Sequence, residues 1–333
     1  MTTAGAGAGA RVEPVSETTA GPSLDREVFR RLARLVHRES GIRLTEAKRS
    51  LIVSRLSRRL RALGLSDFAE YCALVEAEAG AEERGRMISA LTTNVTRFFR
   101  EEHHFRQLRD EILPPLIAHA RAGGRVRLWS AGCSTGEEPY SLAITLVERF
   151  PDAAAHDVRI LASDIDPCVI ETARRGRYPA SSAAALPAEL RRRYLMPCKD
   201  APDQVELEGT LRALISFREL NLLSRWPFRG RFDVIMCRNV VIYFDAPTQE
   251  MLWPRFAEAL APGGHLFIGH SERLTSSAAS LFRNTGVTAY RRAGPEAPES
   301  RCAGVGQGDT PKPARPSPGD VPPSRSGRTT QWA

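Results

Sequence analysis

The run LWSAGCSTGEEPYS, residues 128–141, sets Gly132 and Gly136 where a strand should end and a helix begin, then follows them with Glu137 and Glu138. Glycine has no Cβ, so backbone amides at such a turn can come close to a ligand. The spacing is G-x-x-x-G. It is neither the G-x-G-x-x-G of a dinucleotide site nor a loop with G-K-[ST] for a triphosphate. A carboxylate here would repel a pyrophosphate, yet it can accept hydrogen bonds from a cationic or hydroxyl-bearing ligand. S-adenosylmethionine has that character: an ammonium, a sulfonium, two ribose hydroxyls and no phosphate. Asp164 ends the next strand about thirty residues on, where an acid can hold ribose hydroxyls in a doubly wound fold. Taken alone, the glycine run also fits an ordinary strand-to-helix turn. Asp164 could likewise cap a helix, although Asp166 before Pro167 suits that duty better.

These residues need a parallel sheet to carry them. Short β-rich runs at 126–132, 159–165, 232–238 and 265–270 alternate with helical ones such as PYSLAITLVERF. Near-continuous apolar strands between helices predict a Rossmann-like, doubly wound α/β domain over residues 125–292. The stretch 205–220 breaks the alternation and reads as two short antiparallel strands, part of a small β-subdomain at about 190–220. Upstream, apolar residues recur at helical spacing from a cap at Ser23, with Val28, Leu32, Leu35 and Val36 on one face. Gly41 ends that helix, Thr45 caps the next, and Gly64 stops the stripe of Ile52, Leu56, Leu60 and Leu63. Two more short helices follow, so residues 23–100 predict an all-helical domain. The paired prolines near 114 suggest a linker over 101–124. Residues 1–22 and 293–333 are Ala/Gly/Thr-rich and Pro/Arg-rich tails that cannot bury enough apolar surface to order.

Composition narrows the class. With 42% apolar and 26% charged residues, the chain has globular proportions. No stretch reaches the roughly 20 apolar residues of a spanning helix, and the N-terminus lacks a basic start and apolar h-region, so a cytoplasmic protein is expected. Six cysteines, without a CxxC pair, predict reduced thiols. The histidines show no metal-ligand spacing, so no metal is expected, and His103 with His104 are placed on a solvated helix face. Of the net charge of +8, the segment Arg26 to Arg61 alone carries +9, from 12 basic and 3 acidic residues.

Six segments in order, TTNVTRFFR (92–100), WSAGCSTGEEPYS (129–141), ASDID (162–166), NLL (221–223), FDVIMCRNVVIYF (232–244) and PGGHLFIGHSE (262–272), resemble the bacterial chemotaxis receptor methyltransferases, the CheR family. The resemblance spans about residues 24–291. It implies a helical substrate-recognition domain, a methyltransferase domain with a β-subdomain, and methyl esterification of glutamates on the cytoplasmic helices of chemoreceptors, opposed by a receptor methylesterase. It implies cofactor contacts from Asn94, Thr96, Arg100, Glu137, Asp164, Asn221, Leu222, Cys237 and Arg238. Arg100 and Tyr243 would lie nearest the transferred methyl group, and His270 would support the site's backbone.

The chemistry is consistent with that family. A glutamate carboxylate is already ionised near pH 7 and needs no general base. The segment CRNVVIYF lacks the N-P-P-Y or D-P-P-Y of many amine methyltransferases, which favours an oxygen nucleophile. On the second helix Lys48, Arg55, Arg58 and Arg59 gather opposite the apolar stripe, and the resemblance makes this basic face a dock for acidic receptor helices. Two other readings are a nucleic-acid methyltransferase using that face and a non-catalytic cofactor-binding module. Some family members add a receptor C-terminal pentapeptide as an extra strand. Here MPCKDAPDQVELEG has no glycine before Gly209, so such tethering is not expected.

Overall fold

The computed structural model describes residues 23–294. The expected tails at 1–22 and 293–333 lie outside the described residues, save Ala293 and Gly294, as does Cys302. The described residues fall into two compact units, one of 23–35 with 44–91 and one of 36–43 with 92–294.

The first unit is built from α1 (Arg26–Ser40, through Leu35), α2 (Arg49–Leu63), α3 (Phe68–Glu76) and α4 (Ala81–Leu91). Asp25, not Ser23, caps α1, its carboxylate accepting from the amides of Glu27 and Val28 at 2.7 and 2.9 Å. Asp67 caps α3 in the same way, and Gly64 closes α2 in the left-handed conformation at φ 68°. Leu32, Leu35, Ile52, Leu56, Leu60 and Tyr71 are all at most 2% exposed and form the core, whereas Leu63, expected to end the second stripe, is 37% exposed in the last turn of α2.

The second unit begins with the end of α1 and resumes at Thr92. Residues 101–124 are not a linker: α5 (Glu102–Gln107), a π-turn at 108–112 and α6 (Leu113–Arg121) run on continuously. Pro114 and Pro115 follow the π-turn directly, in the first turn of α6, and the helical path continues through them. Phe105, Leu108, Ile112, Leu113 and Ile117 anchor the segment in the core. Then come β1 (Val126–Ala131), α7 (Glu137–Arg149), β2 (Val158–Asp164), α8 (Pro167–Arg175), β3 (Arg177–Pro179), α9 (Ala180–Ala183), α10 (Ala188–Tyr194), β4 (Leu195–Pro197), β5 (Gln204–Leu207), α11 (Gly209–Ala213), β6 (Ile215–Glu219) and β7 (Phe232–Cys237). The chain continues with α12 (Ala246–Ala259), β8 (Leu260–Ile268), β9 (Phe282–Gly286) and β10 (Ala289–Arg292).

Seven strands form one sheet in the order β6-β2-β1-β7-β8-β10-β9. The pairs from β6 to β8 are parallel, and β10 is antiparallel to both neighbours. Alternate residues feed two apolar layers, with Leu128, Val234 and Met236 in one and Trp129, Ile235 and Cys237 in the other.

The stretch 205–220 corrects the expected antiparallel pair. Its first part is β5, the centre of a small antiparallel sheet β3-β5-β4. A helical turn, α11, follows, and 215–219 joins the main sheet as β6, parallel to β2. The β-subdomain is therefore assembled from 177–207. Among the described residues, no helix is long and apolar enough to cross a membrane.

Candidate functional site

Parallel strands deliver their C-terminal ends, and the helix N-termini that follow, to one edge of the sheet. There the turn from β1 to α7 needs its glycines. Gly132 has φ 81°, and a Cβ on it would lie 2.3 Å from Val240 Cγ2. Gly136 has φ 102° and would set a Cβ 2.7 Å from the Tyr178 hydroxyl. Between them, the amide of Ser134 donates to Asp164 Oδ2 at 2.8 Å, and Asp166 N donates to Asp164 Oδ1 at 3.1 Å. Asp164 is 8% exposed; burial pushes its carboxyl up, and these amides hold it down. Glu137 is also buried and pushed up by burial, with the Thr135 hydroxyl donating to it at 2.7 Å.

Two desolvated carboxylates beside a glycine turn repel phosphate and favour a ligand bearing an ammonium and hydroxyls. The donor set therefore fits S-adenosylmethionine, and both acids that the sequence reading expects at the cofactor, Glu137 and Asp164, are buried at this edge. Asp166 takes the N-cap of α8 through Cys168 N at 2.9 Å and also accepts from Asn94 Nδ2 at 3.0 Å. Ser134 Oγ donates to Asn94 O at 2.9 Å, which ties the 94–101 segment to the turn. Thr96 is half-buried on that segment.

Residues 99 and 101 both have positive φ, 51° at Phe99 and 57° at Glu101, with Arg100 between them. Such backbone persists only where its surroundings over-determine it. Phe99 N donates to Ser141 Oγ at 2.9 Å, and Arg238 Nη2 donates to the Arg100 carbonyl. The Arg100 side chain is half-buried, with Nη1 on Val95 O at 3.0 Å.

Arg238, which the resemblance implies among the cofactor contacts, has its guanidinium enclosed within the fold. Its side chain is 1% exposed, 3.0 Å from Glu138 Oε2 and 3.2 Å from Glu101 Oε2, and it lies over the Phe105 ring. Burial opposes ionisation of Glu101, but Arg238 and the bonds from His270 outweigh it and hold the carboxyl at about 2. Glu138 lies deeper, and burial pushes it up against the pull of Arg238, with Ser130 Oγ donating to it at 2.7 Å. Arg238 thus has a clamped, internal role.

The chain after β7 is held by a residue that the sequence reading passed over. Glu272, 3% exposed, accepts from the amides of Asn239 at 3.0 Å, Val240 at 2.8 Å, Ile242 at 3.3 Å and Gly269. Burial pushes its carboxyl up, against these four amides. Within the same motif His270 is exposed, and its amide and ring bind Glu101 rather than the turn. Cys237 is fully buried, its thiol pushed well up by burial.

Tyr243 is half-buried, and its carbonyl accepts from Arg43 N at 2.8 Å. Asn221 spends its side chain on the fold, Nδ2 donating to Glu39 O at 2.6 Å and Oδ1 accepting from Leu223 N at 2.9 Å. Leu222 is buried, and its carbonyl accepts from Trp226 Nε1 at 3.1 Å and Arg255 Nη1 at 2.6 Å. The structure therefore joins Arg238 to Arg100 directly and Asn94 to Asp164 through Ser134, while Asn221 and Tyr243 are tied to the 37–43 segment.

His104 corrects the solvated-face expectation. It is fully buried, with Nε2 2.9 Å from Val287 O and 3.0 Å from Thr288 Oγ1, and burial first, then Arg238, lowers its pKa to about 4. Glu101, His103 and His104 bring ligand-type atoms within 4.8 Å of one another. The Arg238 guanidinium already occupies the field of the same Glu101 oxygen, so a dication there would sit beside a fixed positive charge.

In the helical unit, the basic face is narrower than its spacing suggests. Arg59 forms a two-point pair with buried Glu83 at 2.9 and 2.6 Å, and the Tyr71 hydroxyl donates to the same carboxylate at 3.0 Å. Arg55 Nη1 donates to Leu91 O at 2.8 Å, at the end of α4. Arg58 is exposed and Lys48 half-buried.

Residues 94–291 match the family model described as CheR methyltransferase, SAM binding domain, and residues 27–92 match CheR methyltransferase, all-alpha domain. A probable chemotaxis protein methyltransferase of Rhizobium etli is 50% identical over 258 residues, covering 77% of this chain and 96% of the relative. Chemotaxis protein methyltransferase 2 of Pseudomonas aeruginosa is 45% identical over 267 residues, covering 80% and 92%. The Escherichia coli chemotaxis protein methyltransferase is 42% identical over 265 residues, covering 79% and 89%. With its helical unit and its SAM-binding domain both matched, and its glycine turn and paired acids in place, the chain belongs to the CheR methyltransferase family.

Proposed function

We propose that this protein transfers a methyl group from S-adenosylmethionine to glutamate side chains on the cytoplasmic helices of chemoreceptors. The products are the glutamate 5-O-methyl ester and S-adenosylhomocysteine, for sensory adaptation. The observation that carries the reading is the pair of buried acids, Glu137 and Asp164, on the glycine turn of a CheR-family methyltransferase domain. Glu137 and Asp164 hold the ammonium and ribose ends of the methyl donor, and Asn94, Thr96 and the backbone at 221–222 and 237–238 line the rest.

In the transfer, a carboxylate oxygen of the substrate attacks the methyl carbon in line as the carbon–sulfur bond breaks, its electron pair passing to sulfur. No proton moves, so positioning supplies the rate, on the order of 7–11 kcal/mol of the barrier. Arg100 orients the incoming carboxylate and Tyr243 steadies one of its oxygens. With Arg238 locked in its clamp, Arg100 is the cation left for that task. Lys48 and Arg58 dock the acidic receptor helix. The enzyme works in the cytoplasm, recruited to receptor arrays, against a methylesterase that hydrolyses the ester.

Arg100→Ala and Tyr243→Phe should each lower kcat at least about tenfold on receptor-bearing membranes, while calorimetric affinity for S-adenosylhomocysteine changes less than about threefold. Asp164→Asn should do the reverse and weaken that affinity first. Unchanged turnover in both of the first two variants would remove them from the mechanism.

A further inference from the structure

The loop between β6 and β7 and the outer side of α12 form an open groove of about 580 Å³ that the transfer reaction does not use. Its Arg229–Arg231 end lies where β7 begins, and Ala259 at its other wall is where α12 passes into β8. Both are at the edge of the sheet opposite the 131–137 turn.

Four of the lining side chains are arginines, Arg225, Arg229, Arg231 and Arg255, against one acid, Glu258, a net charge of +3. The loop cannot drift away with its charges, because two aromatic rings nail it to the core. Trp226 and Phe228 both pack on buried Trp129 with ring centroids 4.9 Å away. Arg255 lies over the Trp226 ring at 4.3 Å, its guanidinium satisfied by the carbonyls of Leu222 and Ser224. Burial lowers its pKa, and Glu258 is the charge that partly restores it. Arg225, Arg229 and Arg231 stand exposed along the rim. Met251, 48% exposed, adds an apolar step beside them.

We infer that this groove is a docking surface for an acidic segment of a partner protein. Arginine, methionine and aromatic residues together are the composition enriched at protein interfaces. The positive rim supplies charge complementarity and steering, and the rigid aromatic floor gives such a segment apolar area at little entropic cost. Small-molecule sites are more enclosed and bury most of the ligand, which an open groove with its cations on the rim does not do.

The test is anisotropy titration of the full chain with a fluorescein-labelled peptide of alternating Glu, Asp and Leu residues. Binding should be saturable and weaken as salt rises from about 50 to about 200 mM. The double variant R225E/R229E should lose at least about tenfold in affinity, since two attractive rim charges become repulsive. R192E, at an exposed arginine of α10 outside the groove, should stay within about twofold of the parent. S-adenosylhomocysteine affinity unchanged in R225E/R229E would show that fold and transferase site are intact. Three outcomes would overturn the inference: equal peptide affinity in R225E/R229E, loss on R192E instead, or groove-dependent binding of inorganic phosphate or ATP without peptide binding.

Discussion

The guanidinium of Arg238 lies 3.0 Å from the Glu138 carboxylate and 3.2 Å from that of Glu101, and it also donates to the carbonyl of Arg100. One buried cation therefore joins the end of β7, the first turn of α7 and the left-handed kink at 99–101. Removing one partner strands a charge in the core, so Arg238→Met or Glu138→Ala should cost about 3–5 kcal/mol. Arg238→Lys should recover little, because an ammonium cannot span both carboxylates in a fixed fork. Urea denaturation measures this. A loss under about 1 kcal/mol would mean the clamp is dispensable.

Glu272 gathers four backbone amides with one carboxylate. Glu272→Gln keeps the volume but turns one acceptor oxygen into a donor facing amides. The expected loss is about 2–3 kcal/mol, with a fall in turnover because Tyr243 sits on the turn that Glu272 holds. A variant within about 0.5 kcal/mol of the parent would show that the amides find other partners.

One buried and one half-buried histidine contribute to the pH dependence of stability in the same direction. His104 and His265 are each lowered to about 4, first by burial and then by Arg238 and Arg291 respectively. The unfolded chain binds their protons near 6.5 and the folded chain near 4. Their contribution is thus fully present above about pH 6.5 and is lost as pH falls through that window. Glu101, held at about 2, adds a loss in the same sense at lower pH, below its ordinary carboxylate range. Midpoints of chemical denaturation should fall from pH 7.5 to pH 5, and less steeply in His104→Gln; equal slopes in the two proteins would contradict this assignment.

Gly136 and Gly85 should respond oppositely to alanine. At Gly136 the φ of 102° and a contact at 2.8 Å with Ala173 Cβ leave no room, so Gly136→Ala should destabilise by about 1–3 kcal/mol and weaken S-adenosylhomocysteine binding. Gly85 lies inside α4 with open space where a Cβ would go, so Gly85→Ala should stabilise by about 0.4–1 kcal/mol. Thermal melts with and without ligand separate the two.

The local signals in the chain read well where they are self-contained. Gly132, Gly136 and Asp164 announce their turn and strand end because glycine spacing and strand periodicity are properties of neighbouring residues. The linker reading at 101–124 failed because Pro114 and Pro115 look like a break, whereas the helical path runs through them after a π-turn at 108–112. The stretch 205–220 misled because β5 and β6 are neighbours in sequence but belong to different sheets. Arg55 and Arg59 do share the basic side of α2, but a helical period does not show that Glu83 and the end of α4 claim them. The clamp at Glu138, the amide cluster at Glu272 and the burial of His104 were not legible for one reason: their partners lie 100, 30 to 33 and 183 residues away.

The central claim is that an ester, and not an amine, is made. The full chain incubated with methyl-tritiated S-adenosylmethionine and receptor-bearing membranes should label the receptor. Mild alkali should then release that label as volatile methanol. Label that survives alkali, or no label on the cognate receptor, would contradict the proposed function.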